Sequence, residues 1–298
     1  MKISKFFFSA YILFSLFTLA GCRINQDTPL TRVASFPDVA LEITFFDSKE
    51  SVCIFIEIDD HTIVIDSGLI ESESSLLEFI NNYNIHSIDY LIITHPIEDY
   101  LERIETISAY TEIRQIILPN FFVDNVNSIR DFVEESNFPI KTIDSTEEFE
   151  IRINGLNLTV YPSLNTQYFD LNSHSLITSI QYTNQFVLFA GDATSENLDK
   201  FILKNNLPYD LSENINYTVL LLPNHGADAK YLEEFLYKIN PTHGIISCSV
   251  TDEMSSELLQ LLLYYDVQTF LTCDGKITIR LSEDSLHISQ QIPKFTLI

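Results

Sequence analysis

The sequence predicts an α/β fold, and two features of its apolar pattern support this. Short β-branched and aromatic runs alternate with stretches at helical spacing, which is typical of parallel strands covered by helices. This succession runs through the chain twice, before and after about residue 150. No stretch between the halves has the composition of a linker. We therefore expect two similar half-sheets with helices on their outer faces, within one domain.

The composition fits a globular, strongly acidic protein. The chain has 298 residues, of which 46% are hydrophobic, enough for a sizeable core. Its formal net charge is −25, and without residues 1–21 it would be −27, with 15 basic against 42 acidic residues. Such a charge disfavours nonspecific nucleic-acid binding, because it repels phosphate backbones. Solubility is the simplest explanation of the charge.

The first 22 residues predict an export signal. Lys2 and Lys5 precede the apolar run Phe6–Leu19, which is short for a membrane span and ends in Ala20-Gly21-Cys22. This pattern resembles a bacterial lipoprotein signal, which implies lipidation of Cys22 and cleavage before it. We expect a signal peptide at 1–21, a tether at 22–40 and an extracytoplasmic domain at 41–298, anchored to the cell membrane. An uncleaved amino-terminal anchor is the alternative.

The first half of the domain opens with strands and continues with alternating helices and strands. Asp59-Asp60-His61 predicts a tight hairpin between the second and third strands. The run Tyr90–Ile93 is apolar throughout, as in a strand buried on both faces, so His95 should lie at its carboxyl end. The predicted strands are Leu41–Phe46, Val52–Ile58, Thr62–Asp66, Tyr90–Ile93 and Gln115–Leu118, and the helices are Ser72–Asn82, a segment through Leu101, Ile104 and Ile107, and Val126–Glu135.

The second half repeats this order. Asn154-Gly155 and Asp274-Gly275 each predict a hairpin turn. Ser255–Tyr265 and Lys230–Ile239 predict helices, as does a segment that begins at Thr194 or Ser195. The predicted strands are Ile151–Ile153, Leu156–Tyr161, Ser179–Thr183, Phe186–Ala190, Val219–Leu222, Gly244–Cys248, Val267–Thr272 and Ile277–Arg280.

The loop after the central strand carries a family resemblance. Thr94-His95-Pro96-Ile97-Glu98-Asp99-Tyr100 resembles Thr-His-x-His-x-Asp-His of the metallo-β-lactamase superfamily, with Ile97 and Tyr100 replacing two histidines. Further matches follow in order, and together residues 40 to 282 are similar to extracellular domains of the ComEC type. They are Asp66-Ser67-Gly68, Asn172-Ser173-His174-Ser175-Leu176, Gly191-Asp192-Ala193 and Asn224-His225-Gly226. The resemblance implies a four-layer αββα sandwich.

The resemblance also implies a set of metal ligands. His95, Asp192 and His174 would bind a first metal, and Asp99, Asp192 and His225 a second, with Asp192 bridging the two. Asp66 would orient a ligand histidine without binding metal itself. Ordinary alternatives remain for three of these residues. Asp66 is equally compatible with a turn cap, Asp192 with a turn carboxylate and His174 with a polar loop position.

Two functions follow from a site with three protein ligands per metal at best. Three ligands plus water suffice for catalytic zinc, whereas the oxygen-rich second site would favour manganese, iron or magnesium. Asp99 would then orient a water for attack on a carbonyl or phosphoryl centre in a metal-dependent hydrolase. The other function is a non-catalytic binding protein that keeps the fold without metal. We expect any divalent ion (manganese, zinc or iron) to occupy the site at most partly, or not at all. Ile97 favours this second function, because an apolar side chain cannot ligate.

The cysteine count allows one disulfide in the domain. Cys53, Cys248 and Cys273 lie in or beside predicted buried strands, where free cysteines pack as small hydrophobic residues. Once Cys22 is lipidated, an odd number remains, and Cys248 with Cys273 is the pair to test. The sequence contains no Cys-x-x-Cys motif and no cysteine and histidine spacing typical of zinc.

Overall fold

The computed structural model describes residues 40–46, 53–68, 77, 80–81, 83, 85–96, 98–164, 167, 170–204, 218–227, 229–248 and 254–292, with backbone alone at 98, 99, 204, 229 and 230. The predicted signal peptide, Cys22, nearly all of the predicted tether and most of the predicted helix Ser72–Asn82 lie outside these ranges. Within them, no helix is long and apolar enough to cross a membrane.

The first sheet has eight strands, which are β1 (Leu41–Phe46), β2 (Cys53–Ile58), β3 (His61–Ile65), β5 (Tyr90–Ile92), β7 (Ile116–Pro119), β8 (Ile140–Ile143), β16 (Lys276–Leu281) and β17 (Leu286–Gln291). Their order is β17-β16-β1-β2-β3-β5-β7-β8. The pairs from β3 to β8 are parallel and the others are antiparallel. Two short strands, β4 (Ser87–Ile88) and β6 (Glu112–Ile113), pair separately.

The second sheet has seven strands, which are β9 (Phe149–Ile153), β10 (Leu156–Tyr161), β11 (Ile177–Tyr182), β12 (Gln185–Phe189), β13 (Val219–Leu221), β14 (His243–Ile246) and β15 (Gln268–Leu271). Their order is β15-β14-β13-β12-β11-β10-β9. The pairs from β12 to β15 are parallel. Both sheets therefore combine an antiparallel half with a parallel half, as the repeated sequence pattern predicts.

Three apolar clusters define the layers. The inner cluster joins the two sheets and includes Ile56 and Leu158. A second cluster packs helices against the first sheet, and a third packs helices against the second sheet. The helices are α1 (Glu98–Ser108), α2 (Asn120–Asn125), α3 (Asn127–Glu135), α4 (Ser195–Lys204), α5 (Ala229–Ile239) and α6 (Ser256–Tyr264). The four-layer αββα sandwich is thus confirmed.

Strand β5 shows why its sequence is apolar without alternation. Leu91 packs in the cluster beneath the helices, whereas Ile92 packs in the cluster between the sheets. Both faces of the strand are therefore covered, so every position must be apolar. This burial fixes the position of the polar residues that follow the strand, because the chain leaves the sheet at its edge.

The hairpin predicted at Asp274-Gly275 is wrong. The chain forms a short 3₁₀ turn at Thr272–Asp274 and then crosses from β15 in the second sheet to β16 in the first. Ile277 and Ile279 of β16 are buried in the cluster between the sheets, and β16 pairs with β1. The pairing of β16 in the first sheet and the burial of its side chains between the two sheets outweigh the preference of Asp274-Gly275 for a hairpin turn. The pattern also failed to predict α2, β8 and the edge strand β17.

The pair of cysteines suggested by the count is bonded. Cys248 and Cys273 form a disulfide with their Cα atoms 5.4 Å apart, while Cys53 is buried and free. The bond closes a loop over a sequence separation of 25 residues. By the chain-entropy relation, such a crosslink stabilises the fold by about 3 kcal/mol.

We expect reduction of this disulfide to lower the free energy of unfolding by that amount. The measurement is urea unfolding with and without dithiothreitol. The variant Cys248→Ser/Cys273→Ser is the control, because it should unfold like the reduced wild type under both conditions. An identical wild-type midpoint with and without dithiothreitol would contradict a stabilising bond.

Candidate functional site

Asp66 fixes the backbone that leads into His95. It follows β3 with a positive φ of 55°, and its own N–H donates to the Ile92 carbonyl over 2.8 Å. Its two carboxylate oxygens accept from the backbone N–H and the hydroxyl of Thr94, both at 2.7 Å. The Asp66 side chain thus holds Thr94, the residue before His95, through two hydrogen bonds. Its proposed action on a ligand histidine stays a prediction.

His95 is buried where β5 ends, beside groups from the second sheet. Nδ1 of His95 lies 3.4 Å from Oγ of Ser175, and the ring packs edge-on against Phe122 at 4.9 Å between centroids. Burial lowers the pKa of His95, while the charges of Asp192 and Asp170 oppose that shift. The imidazole is therefore neutral at pH 7, which is the form that binds metals.

Asp192 and His225 come together from two neighbouring loops. Gly191, with a φ of 52°, turns the chain after β12, and its carbonyl accepts from the Asn224 N–H over 2.8 Å. Nε2 of His225 then lies 3.6 Å from Oδ1 of Asp192, and its Nδ1 lies 3.2 Å from the carbonyl oxygen of Ser247. Both side chains are partly exposed, so the pair lies at an accessible edge.

The hydrogen bond to Ser247 determines what the other imidazole nitrogen can do. When Nδ1–H of His225 donates to that carbonyl, Nε2 carries a lone pair that faces the Asp192 carboxylate. Two lone pairs at this distance repel unless a proton or a metal cation lies between them. Two ligands that each bind one ion at ~2.1 Å with a tetrahedral angle are ~3.4 Å apart. The pair therefore fits two donors of a single divalent ion.

His174 lies deeper, in an aromatic cluster. Its ring stacks on Phe121 with centroids 3.3 Å apart and planes within 2°. It also meets Phe122 edge-on at 6.5 Å, on the same phenylalanine that packs against His95. His174 lowers the pKa of His95, which shows that the two rings are electrostatic neighbours. The two histidines of the predicted first metal position are thus close, within largely apolar packing.

A small cavity connects the two sides of the site. It has a volume of about 10 Å³ and is lined in part by Asp66, Thr94, Tyr100 and Asp192. That volume holds about one water molecule. Burial raises the pKa of Asp66 to about 7, the hydrogen bonds from Thr94 oppose the shift, and the charge of Asp192 adds to it. Asp66 and Asp192 therefore border one small cavity, whose lining also includes Ile54, Ile65, Phe189 and Leu221.

The remaining predicted residues are only partly described. Asp99 is the second residue of α1 (Glu98–Ser108), but its side chain and the whole of Ile97 lie outside the described residues. Among the side chains that are described, no three histidine, cysteine, aspartate or glutamate groups are arranged to hold a metal. The donors that fit one ion are therefore Asp192 and His225, and Asp99 remains the predicted third.

Sequence reasoning missed the groups that orient the site residues. Thr94 was visible as part of the motif, but its role depends on Asp66, which is 28 positions away. The Ser247 carbonyl carries no sequence signal, because any residue supplies a carbonyl. The packing of Phe121 and Phe122 on the histidines depends on α2, a helix that the apolar pattern did not predict.

Gly226 is required by the turn that carries His225. Its φ is 77°, and an added Cβ would lie 2.7 Å from Cδ2 of Leu258. We expect Gly226→Ala to cost roughly 2–3 kcal/mol in chemical denaturation, because it combines backbone strain with steric overlap. Gly155→Ala is the control. Its φ is 88°, but the added Cβ would meet only Tyr182, at 3.7 Å. Equal costs for the two variants would contradict the overlap.

Comparison with known proteins supports the fold. No protein-family model matches the chain. It is 22% identical over 205 residues to ComE operon protein 3 of Bacillus subtilis, covering 67% of this chain and 25% of that protein. The chain thus spans about a quarter of the length of this curated relative.

Solved structures give the same answer. The metallo-β-lactamase fold protein YhfI from B. subtilis superposes with a TM-score of 0.52 and 10% identity, covering 84% of this chain and 99% of that one. Yeast PDE1 superposes with a TM-score of 0.54 and 14% identity, covering 82% of this chain and 100% of that one. CmlA, a diiron β-hydroxylase from Streptomyces venezuelae, superposes with a TM-score of 0.50 and 13% identity, covering 80% of this chain and 54% of that one. At these identities the likeness concerns architecture alone, and this chain has the metallo-β-lactamase fold.

Proposed function

We propose that the protein is a lipid-anchored, extracytoplasmic hydrolase that uses one divalent metal ion. Asp192 and His225 would hold the ion, with Asp99 as the third protein ligand. The single observation that carries the proposal is the facing pair, in which Nε2 of His225 lies 3.6 Å from the Asp192 carboxylate. The Ser247 carbonyl keeps that nitrogen available for a cation.

The donor set determines the chemistry. Two carboxylates and one imidazole suit manganese, iron or zinc, and such an ion would lower the pKa of a water and polarise a carbonyl or phosphoryl group. Asp99 would orient the attacking water. Asp66 holds the Thr94 backbone in place next to the centre. His95, neutral and buried, borders the site without adding charge.

The adjoining cleft favours uncharged substrates. A cavity of about 310 Å³ lies beside the pair, next to Ala193 and Asn224, and Asp170 and Glu196 also line it. None of its described lining residues is lysine or arginine. Together with the net charge of −25, this disfavours phosphodiesters and nucleic acid. We expect a carbonyl compound without negative charge, such as an ester or amide.

The location outside the cytoplasm is part of the proposal. The signal at residues 1–21 and the cysteine at position 22 support lipidation at Cys22, with the membrane as partner. The Cys248–Cys273 disulfide supports the same location, because such bonds persist mainly in oxidising compartments.

The second candidate, a non-catalytic binding protein that keeps the fold, is favoured by a different observation. His95 and His174 sit against Phe122 and Phe121, and aromatic packing surrounds the predicted first metal position. Ile97 and Tyr100 replace two histidines of the family motif. Such packing suits a protein that binds a ligand without catalysing a reaction on it.

Elemental analysis combined with a hydrolysis assay distinguishes the two functions. The full chain, in detergent, is loaded with Mn²⁺ or Zn²⁺ and dialysed, beside Asp192→Ala and the remote surface control Asp284→Ala. The hydrolase predicts about one ion per chain in wild type and control, little in Asp192→Ala, and metal-dependent cleavage of uncharged esters. Absence of bound metal in the wild type would contradict it and leave the binding function.

A further inference from the structure

A third cavity, larger than the two described above, lies at the same edge of the sandwich as the candidate centre. Its volume is about 510 Å³, in the range of small-molecule sites. Pro119 ends β7, and Asp144 directly follows β8, its parallel neighbour in the first sheet. Pro162, which also lines the cavity, follows β10 of the second sheet. Ligands of α/β folds gather at such carboxyl ends of parallel strands.

Part of the lining of this cavity is polar, with groups that both donate and accept hydrogen bonds. It combines carboxylates, amides and hydroxyls, namely Asp124, Asp144, Asn120, Asn125, Gln167 and Ser145. Carboxylate oxygens accept from hydroxyl groups, while side-chain amides can donate and accept at once. Neighbouring hydroxyls on a sugar ring present the same alternation of donors and acceptors.

The lining also includes apolar side chains. Phe121, Ile143 and the two prolines, Pro119 and Pro162, supply surface of the kind that packs against the C–H face of a pyranose ring. The Phe121 ring stacks on the His174 ring with centroids 3.3 Å apart, and the Phe121 carbonyl accepts from Nδ2 of Asn125 over 2.7 Å. A side chain that is already held in place loses little conformational entropy when a ligand binds.

The charge of the cavity restricts the ligand further. Its described lining includes no lysine or arginine, whereas Asp124 and Asp144 are both present and exposed. Phosphorylated, sulfated and uronic-acid ligands would therefore be repelled. A bound metal ion alone would make no use of the apolar side chains in the lining.

We propose that this cavity binds an uncharged, polyhydroxylated ligand, the neutral sugar unit of a glycan. This binding goes beyond the hydrolase function and requires no metal, so it can hold or fail independently of it. The cavity shares the strand-end edge with the candidate centre, and His174 forms part of its lining. A glycan held here would lie next to His174.

Calorimetric titration of the full chain tests the proposal. The protein is kept in a detergent without a sugar headgroup, with EDTA present. The probes are cellotetraose, chitotetraose and maltotetraose, with tetragalacturonate as the acidic comparison. We expect at least one neutral probe to bind with a Kd of about 1 mM or tighter and tetragalacturonate not to bind.

Three variants localise the binding. Asp144→Ala and Gln167→Ala should each lower the affinity for the neutral probe by about 5- to 10-fold, because each removes a polar side chain of the lining that would hydrogen-bond to the probe. Glu147→Ala, three residues beyond Asp144 and outside the cavity lining, should bind like the wild type. Failure of all neutral probes, equal binding of tetragalacturonate, unchanged affinity in both cavity variants, or binding of Ca²⁺ alone would overturn the proposal.

Discussion

Replacing Asp192 by asparagine is expected to weaken the binding of one divalent ion by more than about 100-fold. The substitution removes the charged donor that faces Nε2 of His225 at 3.6 Å. It keeps the size of the side chain, so the loop after β12 should retain its shape. Without metal, the Asp192→Asn variant should be as stable as the wild type or more stable. In the wild type, the Asp192 carboxylate faces a lone pair of His225, and its negative charge raises the pKa of Asp66.

Two measurements on the same samples test this prediction. Mn²⁺ affinity is measured by titration, and the free energy of unfolding is measured by urea in EDTA. Asp284→Asn, a carboxylate exposed in the turn before β17, should match the wild type in both. If Asp192→Asn bound Mn²⁺ like the wild type, the pair would not be the metal site. A large loss of metal-free stability would mean that Asp192 is structural.

The second large effect concerns the pH dependence of stability and arises from Asp66. Its pKa is raised from 3.8 to about 7 in the folded protein, mainly by burial. The folded state therefore holds a proton that the unfolded state releases, so this contribution to stability is complete below pH about 4 and is lost as pH rises through about 7. A shift of about three units corresponds to roughly 4 kcal/mol.

Asp66→Asn should remove this dependence, because asparagine cannot ionise but keeps an oxygen to accept from the Thr94 N–H. Between pH 5.5 and 8.5, the stability of the variant relative to wild type should rise by about 2 kcal/mol, the part of the effect that falls in that window. The measurement is urea unfolding across this range in EDTA, with Asp284→Asn as the control. Parallel pH profiles for wild type and Asp66→Asn would contradict the raised pKa.

The sequence predicted the architecture because burial on two faces leaves a clear pattern. The run Tyr90–Ile93 is apolar throughout since β5 has the other sheet on one side and helices on the other. The turn Asn154-Gly155 was predicted correctly, with φ values of 46° and 88° that glycine and asparagine tolerate best. The same local signal failed at Asp274-Gly275, where tertiary packing sends the chain into the other sheet.

The sequence predicted candidate donors at strand ends, and it could not predict the groups that hold them in place. His95, Asp192 and His225 follow strands whose ends share one edge, so their proximity follows from topology. The Ser247 carbonyl that orients His225 is 22 positions away and leaves no trace in residue type. The aromatic packing around His174 comes from α2, whose six residues Asn120–Asn125 are too short for a helical period to be recognised.

Pulsed EPR of Mn²⁺ bound to the full chain shows whether Asp192 and His225 bind the same ion. With uniformly ¹⁵N-histidine-labelled protein, we expect coupling of Mn²⁺ to a single imidazole nitrogen, which is lost in His225→Gln and retained in His95→Gln. Coupling that survives in His225→Gln, or that disappears in His95→Gln instead, would contradict it.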